Sequence, residues 1–352
     1  MKKIAYIELD THSELANNFY ELTKDSNEIS VDFYFSEKIF KFLNIHEKNV
    51  FLTDYSELLE TLEKKKYDLI IIGTVHRYFN FYKAIVTKYN SAILVHNVNF
   101  TKASNWQLFK SIFKNDFKYR LKLFLKEGLL EAPKVYQQAR HLLGIDELMS
   151  KQNNLEFLPI YFNQFSSQNY PQETLRIIIP GAVSQSRRDY DSFLENLKKF
   201  KDIGINYEII FLGKAAGKEL GKLKLFSDNV PQFIKIQYFE EKLKQNIFDD
   251  CMRNADVLYC PIQKETEFFS INETYGKTKI SGNIGDAIKY GKPAFFPETY
   301  KSDLEFIIKE KSDLQAQLSE VKNQSFNFSN YSKENISKKI STLVETLINK
   351  NT

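Results

Sequence analysis

The sequence predicts an α/β protein made of two doubly wound parallel-sheet domains in tandem, facing a central cleft. Three observations carry this expectation. Short apolar runs alternate with segments of helical periodicity in both halves of the chain, the rhythm of parallel βα units. Runs such as Leu69-Ile70-Ile71-Ile72 and Ala92-Ile93-Leu94-Val95 are apolar at every position, which suits strands covered by helices on both faces. The length of 352 residues exceeds one ordinary domain and favours two compact units.

The elements follow in order. Strands are expected at Ile4 to Leu9, Val31 to Phe35, Leu69 to Gly73 and Ala92 to Val95. Two long helices follow, Asn105 to Glu127 and Ala132 to Leu143, and then Leu158-Pro159-Ile160 and the polar stretch Gln164 to Thr174 read as a linker. The second half restarts with a strand from Arg176 to Pro180, a helix from Asp189 to Phe200, and strands at Tyr207 to Gly213 and Ile234 to Phe239. A helix from Glu241 to Asn254 leads into a strand at Val257 to Pro261, a loop rich in Glu and Tyr, a helix from Asn283 to Tyr290 and a strand at Ala294 to Phe296. The expected domains are 1–165 and 175–330, and the last helix, Lys333 to Asn349 within 331–352, is expected to pack back on the first domain. No fixed-period repeat occurs, which sets aside solenoids and propellers.

Composition narrows the function classes. An apolar fraction of 43% with 27% charged residues is that of a globular protein. The net charge of +4 is too mild for a protein that neutralises many nucleic-acid phosphates, so no nucleic acid is expected as partner. Cys251 and Cys260 belong to no metal-ligand cluster and read as small core residues. Glu8, Asp10 and His12 interrupt the first apolar run, so a cytoplasmic chain that does not span a membrane is expected.

The most informative stretch runs from Tyr275 to Pro293. Its Ser281-Gly282-Asn283-Ile284-Gly285 turn opens a helix, where free backbone N–H groups and the positive helix end are placed to grip a diphosphate. Lys277 and Lys279 add charge, and the plain alternative is a glycine-rich helix start with solvated lysines. Asp286-Ala287-Ile288-Lys289-Tyr290-Gly291-Lys292-Pro293 resembles the donor-binding signature of GT-B glycosyltransferases of the bacterial surface-polysaccharide type, in which an acidic residue opens a helix ending in Gly-x-Pro. Pro180-Gly181-Ala182-Val183-Ser184-Gln185-Ser186-Arg187-Arg188-Asp189-Tyr190 is similar to the start of that family's second domain. The resemblance covers residues 176–300 well, and the first half only in its βα rhythm and His96.

What the resemblance implies is a pair of Rossmann-like domains and a nucleotide-sugar diphosphate held near Arg187, Arg188 and the Ser281 to Gly285 turn, with Asp286 accepting ribose hydroxyls. Donor-site candidates are therefore Arg187, Arg188, Lys214, Lys279, Ser281, Gly282, Asn283, Gly285 and Asp286. Lys214 is included because it follows a strand. Retaining members commonly carry a Glu eight positions before the acidic residue; Thr278 stands there, which leaves the stereochemical outcome open. Asp189-Tyr190-Asp191 imitates a metal motif, but carboxylates in a first helical turn are already explained by the helix dipole. No metal or other cofactor is expected.

In the first half, Asp10-Thr11-His12 and His96-Asn97 follow strands and should rim the cleft. Asp10 and His12 are candidate bases for an attacking hydroxyl, and His96 is a catalytic candidate that the resemblance places against the donor sugar. His46, His76 and His141 have no comparable argument. The stretch Asn105 to Lys126 carries Trp106, Phe109, Phe113, Phe117, Leu121 and Leu125 at spacings of three or four, with lysines between them. That pattern suits a helix packed on its own domain with a solvated face, or docking on an anionic membrane surface where a lipid-linked acceptor resides. The expected function is sugar transfer from a nucleotide-diphosphate sugar to a glycan or lipid-linked acceptor; a sugar-nucleotide epimerase, a phosphorylase or a two-lobed binding protein on the same fold is the alternative.

Overall fold

The computed structural model describes residues 1–165, 174–322 and 324–350. Most of the expected linker therefore lies outside the described residues. The first domain holds β1 (Lys2–Glu8), β2 (Ile29–Phe35), β3 (Val50–Leu52), β4 (Leu69–Ile72), β5 (Ser91–Leu94), β6 (His141–Gly144) and β7 (Glu156–Phe157). All pair in parallel, in the order β3-β2-β1-β4-β5-β6-β7. The second domain contributes β8 (Thr174–Pro180), β9 (Asn206–Lys214), β10 (Ile234–Phe239) and β11 (Val257–Tyr259), then a hairpin of β12 (Glu265–Phe268) and β13 (Ile271–Thr274), then β14 (Ala294–Phe296) and β15 (Ile307–Lys309). Its parallel sheet runs β10-β9-β8-β11-β14-β15. The chain is thus an α/β protein with two doubly wound sheets.

Burial on both faces explains the unbroken apolar strands. In β1, Ile4 and Tyr6 enter one core with Phe19 and Phe33, while Ala5 and Ile7 enter the other with Ile70, Ile72 and Val95. Helix Lys333–Asn349 seats Ile336, Ile340, Val344 and Leu347 in the first of these cores, so the end of the chain completes one face of the first sheet. In each sheet the strand order reverses once, between β1 and β4 and between β8 and β11. Loops leaving the carboxyl ends of such strands splay apart and make a crevice.

Several expected elements differ. The single helix Asn105 to Glu127 is broken into Asn105–Ile112, Phe117–Lys122 and a π turn, Leu123–Glu127. Asp116 adopts a left-handed conformation (φ 57°) between the first two pieces, a backbone region that Asp tolerates better than most residues. Most of the aromatic stripe faces outward: Trp106, Phe113, Phe117 and Leu125 are exposed, Phe109 and Leu121 are partly buried against the core, and Leu108, Ile112 and Leu123 are the buried apolar residues of the segment. The helix from Ala132 stops at Gln138, because His141–Gly144 is drawn into the sheet as β6 beside β5. The helix expected from Glu241 starts only at Gln245.

The hairpin β12–β13 was expected only as loop. It reaches from the second domain into the core of the first, where Phe269 and Ile271 are buried and Phe268 lies 4.9 Å from Phe100, centroid to centroid. Glu273, fully buried, accepts the backbone N–H groups of Asn99 and Phe100 at 3.2 and 2.9 Å. Arg120 donates to Ser270 Oγ at 2.7 Å. The two domains are therefore joined by apolar and hydrogen-bonded contacts as well as by the chain.

Candidate functional site

A cavity of about 560 Å³ lies between the domains and is lined from both. From the first domain come Thr11, His12, Ser13 and Glu14, after β1, and His96, after β5. From the second come Gly181, Arg187 and Arg188, after β8, with Lys279, Ser281, Gly282, Asn283 and Asp286. It opens at the reversal points of both sheets, where a doubly wound fold holds its ligands.

The second-domain wall is built for an anion. Ser281 caps helix Gly282–Tyr290, its hydroxyl accepting from Asn283 N at 3.3 Å and its carbonyl from Ile284 N at 3.2 Å, while Gly282, the first helical residue, is exposed and lines the cavity. Arg188 donates to Asn283 Oδ1 at 3.3 Å, and its Nε is buried without a partner. Gly181 makes room for it, since a Cβ there would lie 2.4 Å from Arg188 Nη2. Lys279 is held across the domain boundary by Asn97 Oδ1, and burial depresses its pKa, with Arg187 adding to the effect.

Asp286 also lines the cavity and accepts Asn283 Nδ2 at 2.9 Å. Burial, and then Glu14 from the opposite domain, push its pKa up to about 7. Gly285, expected to touch the donor, does not line the cavity; a Cβ there would strike Tyr161 at 2.4 Å, so its role is close packing of the helix on Tyr161. Lys214 is likewise outside the lining, because β9 is one strand removed from the reversal point and the side chain turns to Glu241 at 3.7 Å. Thr278 accepts the Thr274 N–H at 2.8 Å and closes a turn. Asp189 and Asp191 are engaged elsewhere: Asp189 caps helix Tyr190–Leu197 and Asp191 pairs with Lys222 at 2.8 Å.

The first-domain wall carries His12 and His96, and His76 packs against both from outside the cavity lining. His12 and His96 stack with centroids 3.7 Å apart and planes 4° from parallel, and His76 stands edge-on 5.6 Å from each. His76 had no argument from sequence; it follows β4, and only the order β1-β4-β5 brings the three loops together. His96 Nε2 lies 2.7 Å from the Gly73 carbonyl, which can only accept, so that nitrogen carries the proton. Burial pushes the pKa of His96 down to about 4 and that of His12 lower still, with neighbouring His96, His76 and Lys279 opposing a charge on His12. Asp10 does not join them. Its backbone is tied to Glu8, its carboxylate is outside the cavity lining, and the cations that act on it are Arg77 and Lys38.

No family model and no characterised protein compared by sequence matches the chain. Solved structures do match in fold. The lipopolysaccharide outer core galactosyltransferase WaaB aligns with a TM-score of 0.58 at 11% identity, covering 98% of this chain and 99% of its own. The glycotransferase of kitacinnamycin aligns at 0.54 and 11%, covering 99% of each chain. The UDP-GlcNAc 2-epimerase from Methanocaldococcus jannaschii aligns at 0.55 and 11%, covering 98% and 99%. The chain has the GT-B fold, shared by these transferases and the epimerase. Among the described residues no helix is long and apolar enough to cross a membrane.

Proposed function

We propose that this protein is a glycosyltransferase that moves a sugar from a nucleotide-diphosphate sugar to an acceptor hydroxyl. The observation that carries the reading is the pairing of walls in one cavity: an anion-binding wall of Arg187, Arg188, Lys279 and a helix N-terminus faces a wall of neutral histidines. Positive charge and helix-end N–H groups stabilise the departing diphosphate, which is the task a metal performs in other transferases, so the proposed reaction uses none. His12 takes the proton of the attacking hydroxyl, and Asp286 holds the ribose.

The acceptor is proposed to be a glycan or lipid-linked sugar of bacterial surface-polysaccharide synthesis, met at the inner face of the membrane. A second cavity of about 410 Å³ at the carboxyl ends of β1 to β3, lined by Tyr55, Tyr78, Glu37, Asp54 and Glu57, supports a sugar acceptor, for which stacked aromatics and carboxylates are apt partners. Exposed Trp106, Phe113, Phe117, Tyr119 and Leu125, interleaved with exposed Lys110, Lys114, Lys118 and Lys122, support docking on anionic lipid.

One observation favours a second reading. Glu14 and Asp286 line the cavity from opposite domains, as acid–base work on both sides of a bound sugar requires, and that suits an epimerase. Incubation with a panel of nucleotide sugars separates the two. Nucleotide release that depends on added acceptor supports transfer, and interconversion of sugars without acceptor supports epimerisation. Binding without either reaction sinks both enzyme readings.

A further inference from the structure

A base that stands among other histidines and a lysine has nowhere to keep a positive charge. We propose that Glu8 is the terminal proton acceptor of the transfer reaction, reached from His12 through the hydroxyl of Thr74. The proposal rests on the transferase reading above and adds to it two residues outside the cavity lining.

The geometry is a continuous chain. Glu8 is the last residue of β1 and fully buried; its Oε1 accepts the N–H groups of Asp10 and Thr11 at 3.0 and 3.3 Å. Its Oε2 accepts the Thr74 hydroxyl at 2.6 Å, and Thr74, after β4, is itself buried. Thr74 has one proton, and once that proton points to Glu8 its oxygen can only accept from His12 Nδ1, 2.8 Å away. The Thr11 hydroxyl, 3.2 Å from the same nitrogen, can accept alongside it. His12 is thereby set with Nδ1 protonated and the Nε2 lone pair free. Gly73 is needed for the arrangement, because a Cβ there would lie 2.6 Å from Glu8 Oε2.

In the reaction the acceptor oxygen bonds to the anomeric carbon while the bond from that carbon to the diphosphate breaks, the electron pair leaving with the diphosphate. The hydroxyl proton passes to His12 Nε2, the Nδ1 proton to Thr74 Oγ1, and the Thr74 proton to Glu8 Oε2. His12 ends neutral in its other tautomer, and Glu8 ends as a carboxylic acid. The charges fit this path. His76, His96 and Lys279 face His12 and oppose an imidazolium. Asp10 and the phenols of Tyr6 and Tyr82 face Glu8, and burial, with Asp10, raises its pKa to about 7, so it takes and returns a proton near neutrality.

The test uses the full chain labelled with nitrogen-15 in histidine and carbon-13 in glutamate carboxyls. As pH is lowered through the neutral range, the Glu8 carboxyl is expected to protonate while His12 changes from the Nδ1–H to the Nε2–H tautomer without becoming doubly protonated. Thr74→Val should abolish the tautomer change and Thr74→Ser should restore it. Turnover of the nucleotide sugar found in the panel above should fall about 100-fold in Thr74→Val and Glu8→Gln, the usual scale of acid–base assistance. In Glu8→Gln the rise of rate through neutral pH should also vanish. A doubly protonated His12 in that range, or an unaltered tautomer change in Thr74→Val, would overturn the relay. An intact tautomer change in a chain that turns over no nucleotide sugar would overturn the transferase reading, and the catalytic role with it.

Discussion

At the scale of single residues, the site separates groups by the charge each is allowed to hold. Arg188 lines the cavity with a guanidinium whose Nε is buried without a partner, a cationic group that a diphosphate bound beside it would neutralise. Arg187→Ala with Arg188→Ala is expected to weaken nucleotide-diphosphate affinity at least tenfold, about 1.4 kcal/mol by calorimetry. Unchanged binding would remove both from the donor site. Glu8 gives a second prediction through linkage. Its folded pKa, about 7, lies above the ordinary value of 4.5, so between these values the folded chain binds more protons than the unfolded one. Stability from this group is therefore present at mildly acid pH and lost as pH rises towards 7, on the order of 3 kcal/mol in all. Glu8→Gln should flatten that part of the pH dependence in urea unfolding; the same slope in variant and wild type would show that Glu8 ionises normally.

At the scale of elements, the hairpin β12–β13 helps to hold the histidine wall against the anion wall, together with the bonds that Asn97 and Val98 make to Lys279 and Thr278. Phe269→Ala empties a buried aromatic site shared by both domains and is expected to cost about 3–5 kcal/mol, read as a lower urea midpoint. An unchanged midpoint would mean that the hairpin lies loosely on the first domain. Gly285→Ala should destabilise as well, because the new methyl meets Tyr161 rather than open cavity. These elements also mark what could be read from sequence. The cores of β1, β2, β4, β5, β8 and β9 were legible as apolar runs because helices cover both faces. The edge strands β3, β7 and β15, two or three residues long and only partly buried, carry too little apolar pattern to separate from loop, and β6 extended a helical periodicity that its pairing in the sheet overrides. The alternation in β12 and β13 is hidden by charged residues that face the other domain or solvent. Arg188, Asn283, Asp286, His12 and His96 were legible as cavity-lining positions because each lies in a loop or early in a helix that follows a strand. Position at or after a strand end does not fix side-chain direction, which is why Asp10 and Lys214 lie outside the lining, and Glu8, the last residue of β1, registered only as a break in the apolar run.

At the scale of the whole molecule, the two sheets turn their reversal points toward one cavity, while the exposed aromatic segment lies on the first domain alone. In the outward face of residues 105–126, Trp106 is 62% exposed, Phe113 66% and Leu125 68%, an unusual density for side chains that gain by leaving water. Lys110 lies over the Trp106 ring at 4.9 Å, and Lys114, Lys118 and Lys122 are exposed on the same segment. Buried Leu108, Ile112 and Leu123 already anchor the segment to its own domain, so the aromatic face is free to meet another surface. Each lysine near an anionic bilayer contributes on the order of 1 kcal/mol, and the sum is screened by salt. Wild-type protein is expected to float with vesicles containing anionic lipid at low ionic strength, and to be released at high ionic strength. Changing Lys110, Lys114, Lys118 and Lys122 to Glu should abolish flotation, and changing Trp106 and Phe113 to Ser should weaken it at every salt concentration. Nucleotide-sugar binding in solution should survive in both variants, because none of these residues lines the cavity. Equal flotation of all three proteins, or none by the wild type, would separate this face from the membrane and make a soluble acceptor the better reading.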